Sequence, residues 1–233
     1  MGIDLHGPPG LRLGIVIPAR NESARIGAVL TRIEAVPGIG SHAVIVVDDG
    51  STDGTAAVAR TGSAAVVRHA INLGKGAALR TGCEMALRMS CDVIAVMDAD
   101  GQHDPADLPR LVQPLLAGEA DIVCGARRFS AEMPAAMRVG NHGLSRLFKL
   151  LFGIEVSDTQ CGLRAFTAAA YRRVRWVATD YSVETEMLVR AARARLRMRE
   201  IEIATVYHDR YKGTTPIDGL KIFANMVLWR VGL

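Results

Sequence analysis

Two carboxylates, Asp98 and Asp100, stand two residues apart where the apolar run Val93-Ile94-Ala95-Val96-Met97 ends. Alternate strand residues project to the same side. Both acids can therefore converge on one hard divalent cation, with the carboxamide of Gln102 as a third oxygen ligand. That arrangement suits a metal-held diphosphate. Taken alone, the octapeptide Val96 to His103 also reads as an Asp-Gly turn closing a strand, so the motifs elsewhere in the chain carry weight.

Three of them lie upstream. Pro18-Ala19-Arg20-Asn21-Glu22 follows the apolar run Leu13 to Ile17, and a turn leaving a strand and opening a helix is a place to hold a nucleotide. Taken alone, the motif is better explained by helix capping, since Glu22 suits the helix dipole. The run Ala43 to Val47 leads into Asp48-Asp49-Gly50-Ser51-Thr52-Asp53-Gly54. One acid there can accept hydrogen bonds from a base or ribose while another caps the following helix. Asn72-Leu73-Gly74-Lys75-Gly76-Ala77 sets a lysine between two glycines. It lacks the third glycine of a dinucleotide fingerprint and the Lys-Ser/Thr pair of a P-loop, which leaves a turn presenting Lys75 at the nucleotide side or a solvated loop lysine.

These motifs need a frame. The runs 13–17, 43–47, 64–67, 92–97 and 120–124 are short and rich in Val and Ile, as buried parallel strands are. Helical patterns separate them at 23–35, 54–60, 76–89 and 105–116. Alternation of this kind predicts an α/β, Rossmann-like doubly wound, mostly parallel sheet with flanking helices, whose ligands sit at the carboxyl ends of the strands. Beyond residue 125 the pattern loosens into helices at 137–152 and 182–195, a strand at 198–206 and an amphipathic segment at 216–231. That last segment sets Leu220, Phe223, Val227 and Trp229 against Asp218, Lys221 and Arg230, as a core-docked helix or one lying in a membrane interface would.

The 233 residues suffice for one α/β domain. Mean hydropathy is +0.18, yet no stretch reaches the ~18 consecutive apolar residues of a membrane span. Neither a secretory start nor a myristoylation signal is present, so a cytoplasmic location is expected. Cys83, Cys91, Cys124 and Cys161 have no close metal-ligand spacing and read as reduced packing thiols. Only four of the 28 basic residues are lysines. Arginine suits phosphate, but aromatics are 5% of the chain and do not interleave with the basic residues, which argues against nucleic acid.

Taken in order, Pro-x-x-Asn-Glu, Asp-Asp-Gly-Ser-x-Asp, Gly-Lys-Gly and Asp-Ala-Asp-x-Gln-His resemble the inverting family 2 glycosyltransferases of GT-A fold. The likeness is greatest to dolichyl-phosphate mannose synthases and related polyprenyl-phosphate glycosyltransferases. It extends to Gly125-Ala126-Arg127, Ser157 to Arg164, Glu184-Thr185-Glu186 and Tyr207 to Gly213, over about residues 12 to 215. The resemblance implies a flexible stretch at 1–11, a GT-A domain at 12–215 and a C-terminal amphipathic helix at 216–233. It sets Pro18, Glu22, Asp48 and Asp49 beside the nucleoside, Lys75, Asp98, Ala99, Asp100, Arg210 and Lys212 around the rest of the nucleotide, and Mg²⁺ or Mn²⁺ on Asp98, Asp100 and Gln102. Related mannose synthases carry a lysine where this chain has Pro216, leaving Lys212 as its substitute and the donor open between GDP-mannose, which is favoured, and UDP-glucose.

By the same resemblance the acceptor is a dolichyl or polyprenyl phosphate at the cytoplasmic face of a membrane. A phosphate monoester is mostly ionised at pH 7 and needs positioning more than a base. Arg127, Arg138 and Arg164 are the expected phosphate forks; Asp158 and Glu186 orient the acceptor, support the metal or neutralise an arginine. A saccharide or small soluble acceptor is the enzymatic alternative and would make Asp158 or Glu186 essential as a base. A non-catalytic nucleotide-binding or scaffolding subunit would be expected to have lost the metal acids, and they are present.

Overall fold

The computed structural model describes residues 11–127, 135–204 and 216–231. In chain order the elements are β1 (Leu13–Ala19), α1 (Ile26–Glu34), β2 (His42–Asp48), α2 (Thr55–Ala59), β3 (Ala65–Arg68), α3 (Lys75–Arg88) and β4 (Val93–Val96). A single 3-10 turn at Pro105–Asp107 then leads into α4 (Leu108–Leu116), β5 (Ile122–Arg127), α5 (Ala135–Phe152), β6 (Arg164–Thr167), α6 (Ala168–Val174), α7 (Val183–Arg193), β7 (Met198–Ile203) and α8 (Pro216–Val231).

Among the described residues one sheet of seven strands runs β3-β2-β1-β4-β6-β5-β7. The first four are mutually parallel, β6 runs antiparallel to both β4 and β5, and β7 is parallel to β5. Alternate residues of β1 serve opposite layers. Ile15 and Ile17 pack with Ile26, Val29, Leu30 and Ile33 of α1, whose spacing makes a single apolar stripe, while Val16 packs with Ala78, Leu79 and Cys83 of α3. A strand covered on both faces has to be apolar throughout, which is why its sequence shows no alternation.

The doubly wound, mostly parallel expectation holds, with one strand it did not include. β5 does not adjoin β4, because the unforeseen β6 lies between them, reversed. Its four residues, Arg164-Ala165-Phe166-Thr167, begin with a charge and end in the cap of α6, where the Thr167 hydroxyl accepts from the Ala170 N–H at 3.1 Å. No apolar run announces such a strand.

In α8, Ile222 and Met226 are buried in the layer that holds Phe148, Val183 and Met187, whereas Leu220, Phe223, Val227, Leu228 and Val231 are exposed. Asn225 Nδ2 donates to Ser182 Oγ at 3.0 Å and ties the helix to the start of α7. Among the described residues no helix is long and apolar enough to cross a membrane. The four cysteines are free and buried; burial raises their thiols, Cys161 to about 12.

Candidate active site

β1 neighbours both β2 and β4, and the chain leaves it toward β2 and β3 before returning to β4, so the topology switches direction between β1 and β4. At the carboxyl ends of these strands lies a cleft of about 440 Å³, lined among others by Pro18, Arg20, Glu22, Asp49, Lys75, Asp98, Ala99 and Asp100. This is where an open α/β sheet binds ligands.

Cross-bonded loops build the first wall. Asn21 adopts φ 53°, its carboxamide oxygen accepts the Thr52 N–H at 2.9 Å, and its own N–H donates to Ser51 Oγ at 2.9 Å. The Glu22 N–H donates to Thr55 Oγ1 at 2.9 Å, while its carboxylate meets Arg25 at 3.0 Å. The two adjacent acids divide their tasks. Asp48 is fully buried, accepts the Ser51 N–H at 3.0 Å and pairs with Arg68 at 3.1 Å. It shapes the turn and does not line the cleft, which corrects its expected place beside the nucleoside. Asp49 lines the cleft while accepting the Leu73 and Gly74 N–H groups and His69, each at 2.8 Å. Gly50 at φ +65° passes so close to residues 71 and 72 that an added Cβ would lie 2.4 Å from the Ile71 carbonyl carbon. Asp53, rather than either of the pair, accepts the Thr55 N–H at 3.0 Å where α2 begins.

Lys75 opens α3 and reaches across the cleft floor to Asp98 Oδ1 and to Glu184 Oε1, both at 2.7 Å. Its neighbours are glycines for a steric reason. A Cβ on Gly74 would lie 2.3 Å from the Thr179 carbonyl oxygen, and one on Gly76 2.2 Å from that of Ala178. Burial is the largest influence on the Lys75 ammonium and acts to lower it, yet the charges of Asp98 and Glu184 prevail and hold it above the usual lysine range. Asp98, half-buried, is held low by Lys75 and by His103, whose Nε2 is 3.7 Å away, against the upward pull of desolvation. Asp100 is pushed up by burial and then by the Asp98 charge.

Of the three expected metal ligands, Asp98 and Asp100 share the cleft. Gln102 is not among its lining residues; its N–H closes a turn onto Asp100 Oδ1 at 2.9 Å. Among the described residues no three His, Cys, Asp or Glu side chains form a protein-only cage. Two carboxylates without a cage fit Mg²⁺ or Mn²⁺ chemistry in which substrate phosphates complete the shell. Glu184 Oε2 adds an observation of its own, being a buried carboxylate oxygen with no hydrogen-bond partner.

The expected acceptor residues sit elsewhere. Arg164 is fully buried, and its guanidinium donates to the carbonyls of Cys161 at 3.0 Å, Thr159 at 2.8 Å and Glu184. It is spent on backbone and cannot fork a phosphate, a correction that follows from its position on enclosed β6. Asp158 is also fully buried and binds Arg127 at 2.6 and 2.9 Å, Asn141 Nδ2 at 3.1 Å and the Gln160 N–H at 3.1 Å. Burial would raise its carboxyl, but Arg127 holds it below the usual range. Neither member of that pair lines the cleft. Together with Arg164 they pin the segment 158–164, which carries Gly162 so close to Asp98 that a Cβ there would lie 2.3 Å from Oδ2.

Glu186 acts in the same manner on a second segment. Its carboxylate accepts the N–H groups of Val177 at 3.0 Å and Ala178 at 2.7 Å and meets Arg190 at 2.5 Å. That fixes the strip whose Thr179 carbonyl takes the Gly76 N–H at 2.8 Å, behind Lys75. Both its oxygens are therefore occupied away from the cleft. Arg210 and Lys212 lie outside the described residues, as does the side chain of Arg138. Sequence reasoning assigned no role to Arg20, Asn72, Asp180, Tyr181 or Glu184. Arg20 and Glu184 stood inside quoted motifs, whereas only the folding of 176–181 against α3 brings Tyr181 to the cleft, 5.7 Å from the Lys75 ammonium.

A doubly wound sheet with paired acids at its switch point is the GT-A arrangement. Residues 14–175 match the Glycosyl transferase family 2 model, and the chain belongs to that family. It is 30% identical to the UDP-N-acetylglucosamine–dolichyl-phosphate N-acetylglucosaminyltransferase of Methanococcus voltae, across 94% of this chain and 96% of that protein. It is 31% identical to the undecaprenyl-phosphate mannosyltransferase of Micrococcus luteus, across 90% of this chain and 88% of that one. Among solved structures it is similar to glucosyl-3-phosphoglycerate synthase from Mycobacterium tuberculosis in complex with Mn²⁺, UDP and phosphoglyceric acid. There the TM-score is 0.72 at 25% identity, covering 96% of this chain and 80% of that one.

Proposed function

We propose that this glycosyltransferase is inverting and metal-dependent, and that it moves a hexose from a nucleotide sugar to a dolichyl or polyprenyl phosphate. The observation that carries the reading is the convergence of Asp98, Asp100 and Lys75 in one strand-end cleft with Glu22 and Asp49. Relatives across nearly the whole chain act on dolichyl and undecaprenyl phosphates, which supports a lipid phosphate over a saccharide acceptor.

The chemistry asks little of a general base. An acceptor phosphate oxygen attacks C1 of the sugar, the C1–O bond to the diphosphate breaks, and the nucleoside diphosphate leaves with the electron pair. Negative charge develops on the leaving oxygen, where fixed cations lower the barrier most. Asp98 and Asp100 would hold Mg²⁺ or Mn²⁺, which when bound supplies Lewis-acid stabilisation of the diphosphate. Lys75 adds a positive charge beside them, and Glu22 and Asp49 offer acceptors for the nucleoside. Asp158 and Glu186 are each engaged by an arginine and by backbone N–H groups, so neither is placed to deprotonate a hydroxyl. This favours an acceptor that arrives ionised. Arg20, exposed at the cleft, is the described cation nearest in character to the phosphate fork assigned above to Arg164.

The enzyme then works peripherally at the cytoplasmic membrane face, a reading supported by the exposed Leu220, Phe223, Val227 and Leu228 of α8. GDP-mannose is the donor favoured by motif resemblance; the relative using UDP-N-acetylglucosamine and the neighbour holding UDP support a UDP-linked hexose. Purified protein incubated with radiolabelled GDP-mannose, UDP-glucose and UDP-N-acetylglucosamine, polyprenyl phosphate and Mn²⁺ should move label into the organic phase from one of them. Label appearing only on soluble saccharide acceptors would replace the lipid-phosphate reading.

A further inference from the structure

Lys75 is held by two carboxylates at once, and one of them is an acid expected to bind metal. Its ammonium lies 2.7 Å from Asp98 Oδ1 and 2.7 Å from Glu184 Oε1. Glu184 is 4% exposed, and its second oxygen, Oε2, is buried with no hydrogen-bond partner. Full desolvation without a partner is costly for a carboxylate oxygen, so the arrangement holds an acceptor in reserve directly behind the ammonium.

The backbone under Lys75 cannot shift to relieve this. Gly74 and Gly76 are pressed against the Thr179 and Ala178 carbonyls, and the Gly76 N–H is bonded to Thr179 O at 2.8 Å. Asp98 is confined as well, with Gly162 against Oδ2 and His103 Nε2 at 3.7 Å. Only the Lys75 side chain is left to move. Asp98, Asp100 and Glu184, when ionised, set three negative charges against that one ammonium. A divalent cation arriving at Asp98 and Asp100 meets an ammonium already on Asp98 Oδ1, and like charges this close repel strongly in a partly desolvated site.

We propose that Lys75 is a built-in counter-ion that occupies Asp98 until a divalent cation displaces it, and that Glu184 is the positioning residue that then takes the ammonium on both its oxygens. Glu184 thereby sets how readily Asp98 exchanges one partner for the other. The inference rests on the donor-site reading above. It assigns Glu184 no contact with sugar, phosphate or metal.

Mn²⁺ binding to the purified full chain without nucleotide, followed by loss of the free-ion paramagnetic resonance signal, tests the exchange. Lys75→Met should bind Mn²⁺ at least ~5-fold more tightly than the parent, and Glu184→Gln at least ~5-fold more weakly, whereas adding Glu184→Gln to Lys75→Met should change affinity by ~2-fold or less. Lys75→Gln, which keeps a neutral donor between the carboxylates, should show the same tightening if Lys75→Met does not fold. An equal loss from Glu184→Gln in both backgrounds would make Glu184 a ligand or a simple charge and overturn the proposal. So would Mn²⁺ binding no tighter in either Lys75 variant than in the parent. The transfer assay separates the two readings. Lipid transfer with a non-coupled cycle removes this inference alone, whereas a coupled cycle with no transfer from any nucleotide sugar removes the proposed function and leaves the exchange.

Discussion

The two halves of the sheet use charge in opposite ways. On the β1–β4 side, Glu22, Asp49, Asp98, Asp100 and Lys75 reach a cleft. On the β5–β7 side, Arg164, Asp158 and Glu186 are buried, the arginine bonded to backbone carbonyls and each acid to backbone N–H groups and an arginine. The second set nonetheless serves the first. Arg164 and the Arg127–Asp158 pair hold the strip that places Gly162 behind Asp98, and Glu186 holds the strip behind Lys75. Charged residues in a motif can thus form the site or build its support, and only burial and partners tell which.

The sharpest way to break this contrast is Arg164→Met. Three carbonyls would lose a charged donor in a dry interior, each loss being worth ~1–3 kcal/mol. Thermal melting is expected to fall by roughly 10 °C or more. A folded Arg164→Met protein with unchanged melting and a raised KM for lipid phosphate would return this arginine to the acceptor site.

Asp100→Asn tests the other half and should leave melting nearly unchanged. Transfer should drop by roughly 10²–10³-fold, the scale of losing one preorganised electrostatic group. Nucleotide binding measured by calorimetry should become insensitive to EDTA. Full activity in this variant would remove the carboxylate from the site.

Gly162→Ala joins the two halves, since the new methyl is directed at the Asp98 carboxylate. Overpacking of this kind costs ~1–3 kcal/mol. The methyl would push directly on the Asp98 carboxylate, so a fall in kcat larger than the fall in stability is expected. Equal activity with intact folding would show that Asp98 has no fixed place.

The smallest effect concerns acid. Asp121 is held below the usual carboxylate range by its bonds to Arg197, which link the start of β5 to β7. Its contribution is complete above the unfolded aspartate value near ~4 and fades as pH falls through the lower folded one, by at most ~1.4 kcal/mol per pH unit. Melting followed below about pH 4 should decline less steeply in Asp121→Asn. An unchanged acid limb would show that the pair adds nothing to folding.

Much of the first half was legible because each strand there is a continuous apolar run ending in a polar motif, and strand ends are where such a sheet binds ligands. Pro18, Glu22, Asp49, Lys75, Asp98, Ala99 and Asp100 accordingly line one cleft. Past residue 125 the same reasoning weakened. β6 begins with a buried arginine, so apolar periodicity passes over it, and with it went the clue that Arg164 is enclosed.

By itself, then, the chain determined a doubly wound sheet with a pair of acids at a strand end, since periodicity and local spacing are properties of the covalent order, and its motifs resembled those of a glycosyltransferase family. Which arginine is free to meet a ligand, which of two adjacent aspartates faces the cleft, and that Glu184 shares the Lys75 ammonium with Asp98 were decided by tertiary structure alone. Desolvation and the saturation of hydrogen-bond donors depend on neighbours brought together from as far as 109 positions along the chain, as Lys75 and Glu184 are, and no local pattern records them.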